Sequence, residues 1–396
     1  KKKHTGGIFR LFQSNRGVLC PPDLMIVELT LILLAIGLVM VFSASSYRSI
    51  LENGSAYTYI IQQAAYAVVG IATMLGMILV PPEWIKRLTL PLLVVFAGLI
   101  FYTAFFGEES LGATRWISIG GVRFTPAEFA KPLMIIVLAD QIKESTRDLY
   151  SEKNSLYICG LLILTVGLVT KEDLGSGIVI FCGCFATLIV AGLSKKGIFA
   201  MLGAAAAAGV AAIAVAPYRL QRILGFLSQG DTDASSGSTY QITQSLYAFG
   251  SGGLTGRGLG NSGQKLLYLP GMHTDFIFSV IGEELGLVGA TIVLILFMTL
   301  AWRGFWLASR IVDNFKSYTV FGIVAVFIIQ ALINMGVAAG ILPVTGITLP
   351  LISYGGTSLF VTLASIGIVL NFSRFADKRG TEKGNRRKKR RTGSKL

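Results

Sequence analysis

Apolar runs of roughly 20 residues recur along most of this chain, and no other feature restricts its fold as much. The first is "LMIVELTLILLAIGLVMVFSA", Leu24 to Ala44. A helix of about 20 mostly apolar residues crosses a hydrocarbon core about 30 Å thick. On that criterion ten spans are predicted, near Leu24–Ala44, Tyr57–Val80, Leu88–Phe106, Pro126–Ile142, Ser155–Val169, Leu174–Leu193, Gly197–Ala216, Phe276–Trp302, Tyr318–Ala339 and Pro350–Phe372. The 53% apolar and 14% charged residues agree, as does the mean hydropathy of +0.66, and they exclude an ordinary soluble domain. The expectation is an all-α polytopic membrane protein with ten transmembrane helices and a large external loop between helices 7 and 8.

Loop charges orient the chain, because Lys and Arg accumulate on the cytoplasmic side. With both termini cytoplasmic, 26 of the 35 Lys and Arg fall inside and 8 outside, with Lys131 inside a span. The predicted organisation is a cytoplasmic arm over 1–22, a transmembrane domain over 23–375 and a basic cytoplasmic tail over 376–396. The net charge of +14 does not indicate nucleic acid, since "RFADKRGTEKGNRRKKRRTGSKL" alone carries eleven bases and two acids. Such a tail contacts anionic membrane lipids or docks a cytoplasmic partner. Cys20 lies in the arm and Cys159, Cys182 and Cys184 lie in spans, so no disulfide framework is expected. The first apolar run has no convincing cleavage site and reads as a retained signal anchor. "AMLGAAAAAGVAAIAVA" reads as close helix packing through small residues.

The connection Pro217–Asp275 far exceeds the roughly 12 to 15 residues beyond which an unstructured loop implies function or disorder. Its "GFLSQGDTDASSGSTYQ" reads as mobile, and its glycines could bring backbone N–H groups to a phosphate, although they match no nucleotide-loop pattern. "ILPVTGITLPLISYGGTS" interrupts a span with Pro and Gly, which membrane depth tolerates only where the irregular backbone is buried in protein or lines a wet cavity. Ser353, Tyr354, Gly355 and Gly356 would present polar groups there, or form a simple re-entrant connection.

Three segments, "SLYAFGSGGLTGRGLGNSGQKLLYLPGMHTDFIFSVIGEELGLVG", "LGATRWISIGGVRFTPAEFAKP" and "ILPVTGITLPLISYGGTSL", resemble the signature segments of the SEDS family, the bacterial proteins of shape, elongation, division and sporulation. The resemblance covers about Pro22 to Phe375, and "GNSGQKLLYLP" before "HTDFIF" is more similar to the division and sporulation branches than to the elongation branch. It implies a peptidoglycan glycosyltransferase polymerising lipid II, an undecaprenyl-pyrophosphoryl disaccharide pentapeptide, on the outer face of the bacterial cytoplasmic membrane during septal wall synthesis. It also implies a class B penicillin-binding protein and other divisome membrane proteins as partners. A divalent cation, Mg or Mn, is the one cofactor left open, with no ligands assigned.

Inverting transfer from a sugar diphosphate needs a base for the acceptor hydroxyl and positive charge for the leaving group. The resemblance carries the base onto Asp275 of "HTDFIF". An Asp ahead of a helix is equally a capping residue. His273 could cap, bind substrate or face water, and Thr274 joins it as a binding candidate. Glu283 and Glu284, about 80° and 180° round a helix from Asp275, read as packing groups that need donors. Glu128 and Lys131, three apart, share a helix face as a buried ion pair or as part of a substrate channel. Arg115 and Trp116 sit where Arg can meet diphosphate and Trp a sugar or headgroup. Asp173, at another helix entrance, pairs with Lys131 or substrate; Lys265, Ser353 and Gly355 complete the binding candidates. Gly271, Met272 and Glu172 depart from the family pattern, where Glu-Ala and Pro are common, and put in doubt any role for an acid at position 271. Rival readings are a lipid II flippase and a non-catalytic scaffold recruiting the penicillin-binding protein.

Overall fold

The computed structural model describes residues 20–376, apart from 107, 111–112, 120–121, 145–159, 161, 164, 172, 216 and 228–236. The arm before residue 20, the tail after 376, Glu172, Cys159 and part of the predicted fifth span lie outside the described residues. In chain order the helices are α1 (Leu24–Asn53), α2 (Thr58–Leu79), α3 (Pro82–Phe106), α4 (Pro126–Glu144), α5 (Leu174–Val190), α6 (Lys195–Val215), α7 (Pro217–Leu227), α8 (Gly237–Gly252), α9 (Ile277–Ala308), α10 (Asn314–Ala338) and α11 (Gly356–Ser373). Six of them, α1, α2, α3, α9, α10 and α11, are long and apolar enough to cross a membrane. The protein is a multi-pass helical membrane protein.

The helical class expected from the sequence holds, with one small addition. Between α3 and α4 lies a three-stranded antiparallel sheet, β1 (Glu108–Ser110), β2 (Ala113–Ile119) and β3 (Val122–Phe124), in that order. Its register pairs Glu108 with Trp116 and Ile117 with Phe124. The segment has alternating side chains rich in β-branched and aromatic types, with Gly120-Gly121 between two runs, which is a hairpin signal. Of the segment Gly225–Gln241, expected to be mobile, the two ends are helical in α7 and α8, and residues 228–236 lie outside the described residues.

The most buried span is α10, 72% inside the protein, whereas α2 and α3 are only 22% buried and turn most of their apolar surface outward. Packed against α10 are α9, α5, α4 and α11, while α2 lies along α11. Caps fix several helix starts. The Asp23 carboxylate accepts from Ile26 N–H (3.3 Å) ahead of α1, and that of Asp313 from Lys316 N–H (3.1 Å) ahead of α10.

Two interruptions shape the bundle around the turn before α9. Inside α9, Gly286 adopts φ 68°, ψ −170°, a backbone state that costs most side chains dearly. The break removes helical partners from the groups around it, and the Gly-rich connection replaces them. Arg257 N–H donates to Glu283 O (3.0 Å) and Gly258 N–H to Glu284 O (3.0 Å), while Leu287 N–H donates to Gly253 O (2.9 Å) and Val288 N–H to Leu254 O (3.1 Å). Without these bonds each exposed backbone group would cost several kcal/mol in hydrocarbon. The second interruption delays α11 to Gly356 rather than the predicted Pro350, because Pro343, Gly346, Pro350 and a left-handed Leu351 (φ 65°) hold the chain irregular. Val344, Ile347, Leu349, Leu351 and Ile352 are buried, so this backbone is enclosed by protein as its sequence requires.

Candidate active site

The turn before α9 carries His273, Thr274 and Asp275, and each of their three successive main-chain carbonyls is held from outside. His273 O accepts from Tyr354 N–H (2.8 Å), Thr274 O from the Ser353 hydroxyl, and Asp275 O from Asn334 Nδ2 (2.8 Å). Ser353 Oγ also accepts from Leu349 N–H (2.8 Å). The second interrupted segment is thus the clamp on the Asp275 turn, and Gln63 of α2 steadies it through Ser353 O (3.1 Å) and Gly355 N–H (3.2 Å). Three consecutive fixed carbonyls leave the Asp275 backbone little freedom.

The Asp275 carboxylate does not cap α9. The cap position is Phe276, which makes no side-chain cap bond, so the capping account of this residue is set aside. Asp275 is half-buried, and its Oδ1 lies 2.6 Å from the Thr274 hydroxyl, a neutral donor that orients a carboxylate. Gly271 lies directly against this carboxylate. At φ 73° it occupies the left-handed region, and a Cβ there would stand 2.5 Å from Asp275 Oδ1. The carboxylate therefore packs against position 271 more closely than any side chain there would allow.

His273 is buried between aromatic rings, with centroids 5.2 Å from Tyr59 and 5.7 Å from Tyr354. Among the described residues its buried Nδ1 has no hydrogen-bond partner. Desolvation, and then the nearby Arg48 charge, lower its pKa to about 4, against a smaller opposing pull from Glu52, so the imidazole is neutral at pH 7. Tyr59 OH donates to Glu52, which pairs with Arg48 (2.7 Å), and Tyr354 OH donates to Gln62 Oε1 (2.6 Å).

Lys131 is 3% exposed and bonds Glu128 Oε1 at 2.7 Å and Gln330 Oε1 at 3.0 Å. The ion pair on one face of α4 is therefore present. Gln330 Nε2 in turn donates to Thr348 O (3.0 Å), which links the pair to the clamp. A mostly apolar cavity of about 50 Å³ adjoins Glu128, Lys131, Gln330 and Pro350, room for a water or two.

The other candidates fall elsewhere. Arg115 and Trp116 lie on β2, with their side chains outside the described set. Asp173 caps α5, accepting from Gly175 N–H (3.2 Å), Ser176 N–H (3.2 Å) and Ser176 Oγ (2.6 Å), while Lys131 takes Glu128 and Gln330. Lys265 bonds Gly260 O within the Gly-rich connection. Glu283 and Glu284 are both buried and act as anchors for that connection. Glu283 accepts from Ser262 Oγ, Gly263 N–H (2.9 Å) and Arg257 Nη1 (3.2 Å); Glu284 accepts from Ser43 Oγ of α1 (2.6 Å). Asn334, Gln330, Tyr59, Gln62 and Gln63 were not foreseen. A sequence signal existed: amides four apart in the apolar "FIIQALINMG", and paired Gln at the start of a span.

Among the described residues no three His, Cys, Asp or Glu gather as a metal cage. The donor set around Asp275 fits a cation held chiefly by phosphate oxygens and water better than a resident one.

Residues 23–378 match the family described as Cell cycle protein, FtsW/RodA/SpoVE. The chain is 38% identical to Stage V sporulation protein E of Bacillus subtilis (strain 168), over 90% of this chain and 98% of that one. It is 36% identical to the probable peptidoglycan glycosyltransferase FtsW of Geobacter metallireducens, over 89% and 94%. Among solved structures it is similar to a chain described under "Structural coordination of polymerization and crosslinking by a peptidoglycan synthase complex", with TM-score 0.74 and 27% identity, covering 90% of this chain and 99% of that one. The rod shape determining protein RodA of Thermus thermophilus superposes with TM-score 0.65 and 27% identity, covering 90% and 98%. With the segments quoted from its sequence matched along nearly their whole extent, the chain belongs to the FtsW/RodA/SpoVE family of cell cycle proteins.

Proposed function

We propose that this protein is a peptidoglycan glycosyltransferase that polymerises lipid II at the division septum, with Asp275 as the general base. The observation that carries this reading is the Asp275 turn: three clamped carbonyls fix the backbone, while the carboxylate is half-buried and relieved of capping. A base must be held within hydrogen-bond reach of the proton it takes, and the clamp suits that demand. In the reaction the acceptor hydroxyl oxygen bonds the anomeric carbon of the donor sugar as the carbon–oxygen bond to diphosphate breaks. The hydroxyl proton passes to Asp275, and undecaprenyl diphosphate leaves with inversion. His273, neutral, offers substrate a hydrogen bond rather than a charge, as do Thr274, Ser353 and the Gly355 backbone. Arg115 and Lys265 supply positive charge for diphosphate, and Trp116 a face for a sugar ring. Glu128 and Lys131 flank the approach from the membrane, with Asp173 at its rim. A divalent cation, Mg or Mn, arriving on the diphosphate would neutralise the leaving group.

The arrangement proposed is ten spans with both termini cytoplasmic, an external site, and a class B penicillin-binding protein among its divisome partners. The two interrupted segments also suit a flippase, whose sites form on broken helices. Purified protein given lipid II, divalent cation and the partner with its transpeptidase inactivated should make glycan strands resolvable on a gel. No strands, with lipid II crossing between leaflets of proteoliposomes, would give the flippase reading first place. Neither strands nor crossing would leave the scaffold.

A further inference from the structure

Asn334 is 1% exposed in the middle of the bundle, and both hydrogens of its amide are spent on main-chain carbonyls, Asp275 O at 2.8 Å and Ile347 O at 2.7 Å. Two carbonyl partners fix which amide atom is nitrogen, because the flipped amide would set oxygen against oxygen. Among the described residues its buried Oδ1 has no partner, so it is the amide hydrogens that hold the side chain in place. One turn earlier on the same face of α10 is Gln330, whose orientation is equally fixed by the Lys131 ammonium on its oxygen and Thr348 O on its nitrogen. Neighbouring residues 347 and 348 are therefore gripped by two amides of one helix. One amide continues to Asp275 and the other to the Glu128–Lys131 pair.

Resting on the reading of Asp275 as the base, we infer that Asn334 is a positioning residue that sets the place of Asp275, and that Gln330 ties the buried ion pair to the same clamp. Purely structural glue would contribute stability without favouring the chemical step. A positioning residue acts through Asp275, so its loss lowers kcat and adds nothing once Asp275 is gone.

The test uses the full chain with its partner and lipid II. Asn334→Leu keeps the branching and the number of heavy atoms but has no donor. It should lower kcat about tenfold or more with KM for lipid II changed by less than about twofold, as a misplacement near 1 Å does. Asp275→Asn combined with Asn334→Leu should be no slower than Asp275→Asn alone, within about threefold. Wild-type kcat in folded Asn334→Leu, or losses that multiply in the double variant, would overturn the inference. Should the Leu variant not fold, Asn334→Asp, alike in shape and without amide hydrogens, is read by the same two criteria. Near-normal activity in Asp275→Asn would instead strike the reading of Asp275 itself, while an inactive Asp275→Asn beside a fully active Asn334 variant strikes only the inference.

Discussion

Asp275 stood out through its motif, and Ser353 and Tyr354 as polar groups on an interrupted span, whereas the contacts by which these two and Asn334 hold its turn did not show, and the difference lies in the kind of atom involved. A motif records side chains. The contacts on this turn are made to main-chain carbonyls by Tyr354, Ser353 and Asn334, 59 to 81 residues away in sequence, and any residue has a carbonyl. Asp173 is a different case: a carboxylate with a marked position in the sequence caps its own helix in the structure. His273 yields a prediction with a definite sign. In the unfolded chain its pKa is the ordinary 6.5 and in the folded protein about 4. Between those values the unfolded state binds the proton and the folded state does not, so stability is present in full above pH 6.5 and is lost as pH falls toward about 4. The loss can reach ~3 kcal/mol. In detergent, the fall in Tm from pH 7 to pH 4.5 should therefore be smaller for His273→Gln than for the unsubstituted protein. Equal falls would show that the imidazole is not held neutral by its Tyr59 and Tyr354 cage.

At the scale of elements, apolar length placed α1, α2, α3, α9 and α10 well, because each span must satisfy its own backbone in lipid. It could not place the sheet, which lies outside the long apolar runs, nor the start of α11, which proline delays. The Gly-rich connection has a use that its composition did not reveal. Several of its glycines bring one backbone against another. Gly256, at φ 82°, would put a Cβ 2.2 Å from Glu284 O, in the ladder that repairs the α9 break. Gly256→Ala should prise the connection from α9 and strand several backbone groups, a loss of ~3 kcal/mol or more. Folded yield by size-exclusion chromatography should collapse for Gly256→Ala and hold for Gly250→Ala, whose Cβ meets nothing within 4 Å. Equal yields would mean that the ladder is not needed to close the break.

For the whole molecule, the arrangement proposed from the charge asymmetry is a bundle with its chemistry gathered at the external end. Ser235 and Ser151, both outside the described residues, report on it. Single cysteines placed there, in a background lacking the four native ones, should label from outside at 235 only; external labelling at 151 would reverse the assignment of the loops. The same arrangement puts the basic tail on the far side of the membrane from Asp275. What decides whether that external end is a catalytic site is Asp275→Asn, since the amide keeps the size and an acceptor oxygen but loses nearly all basicity. With purified, well-folded protein bound to its penicillin-binding partner, glycan polymerisation should fall by roughly 10²-fold or more while lipid II binding persists; strands made at near the unsubstituted rate would contradict the account.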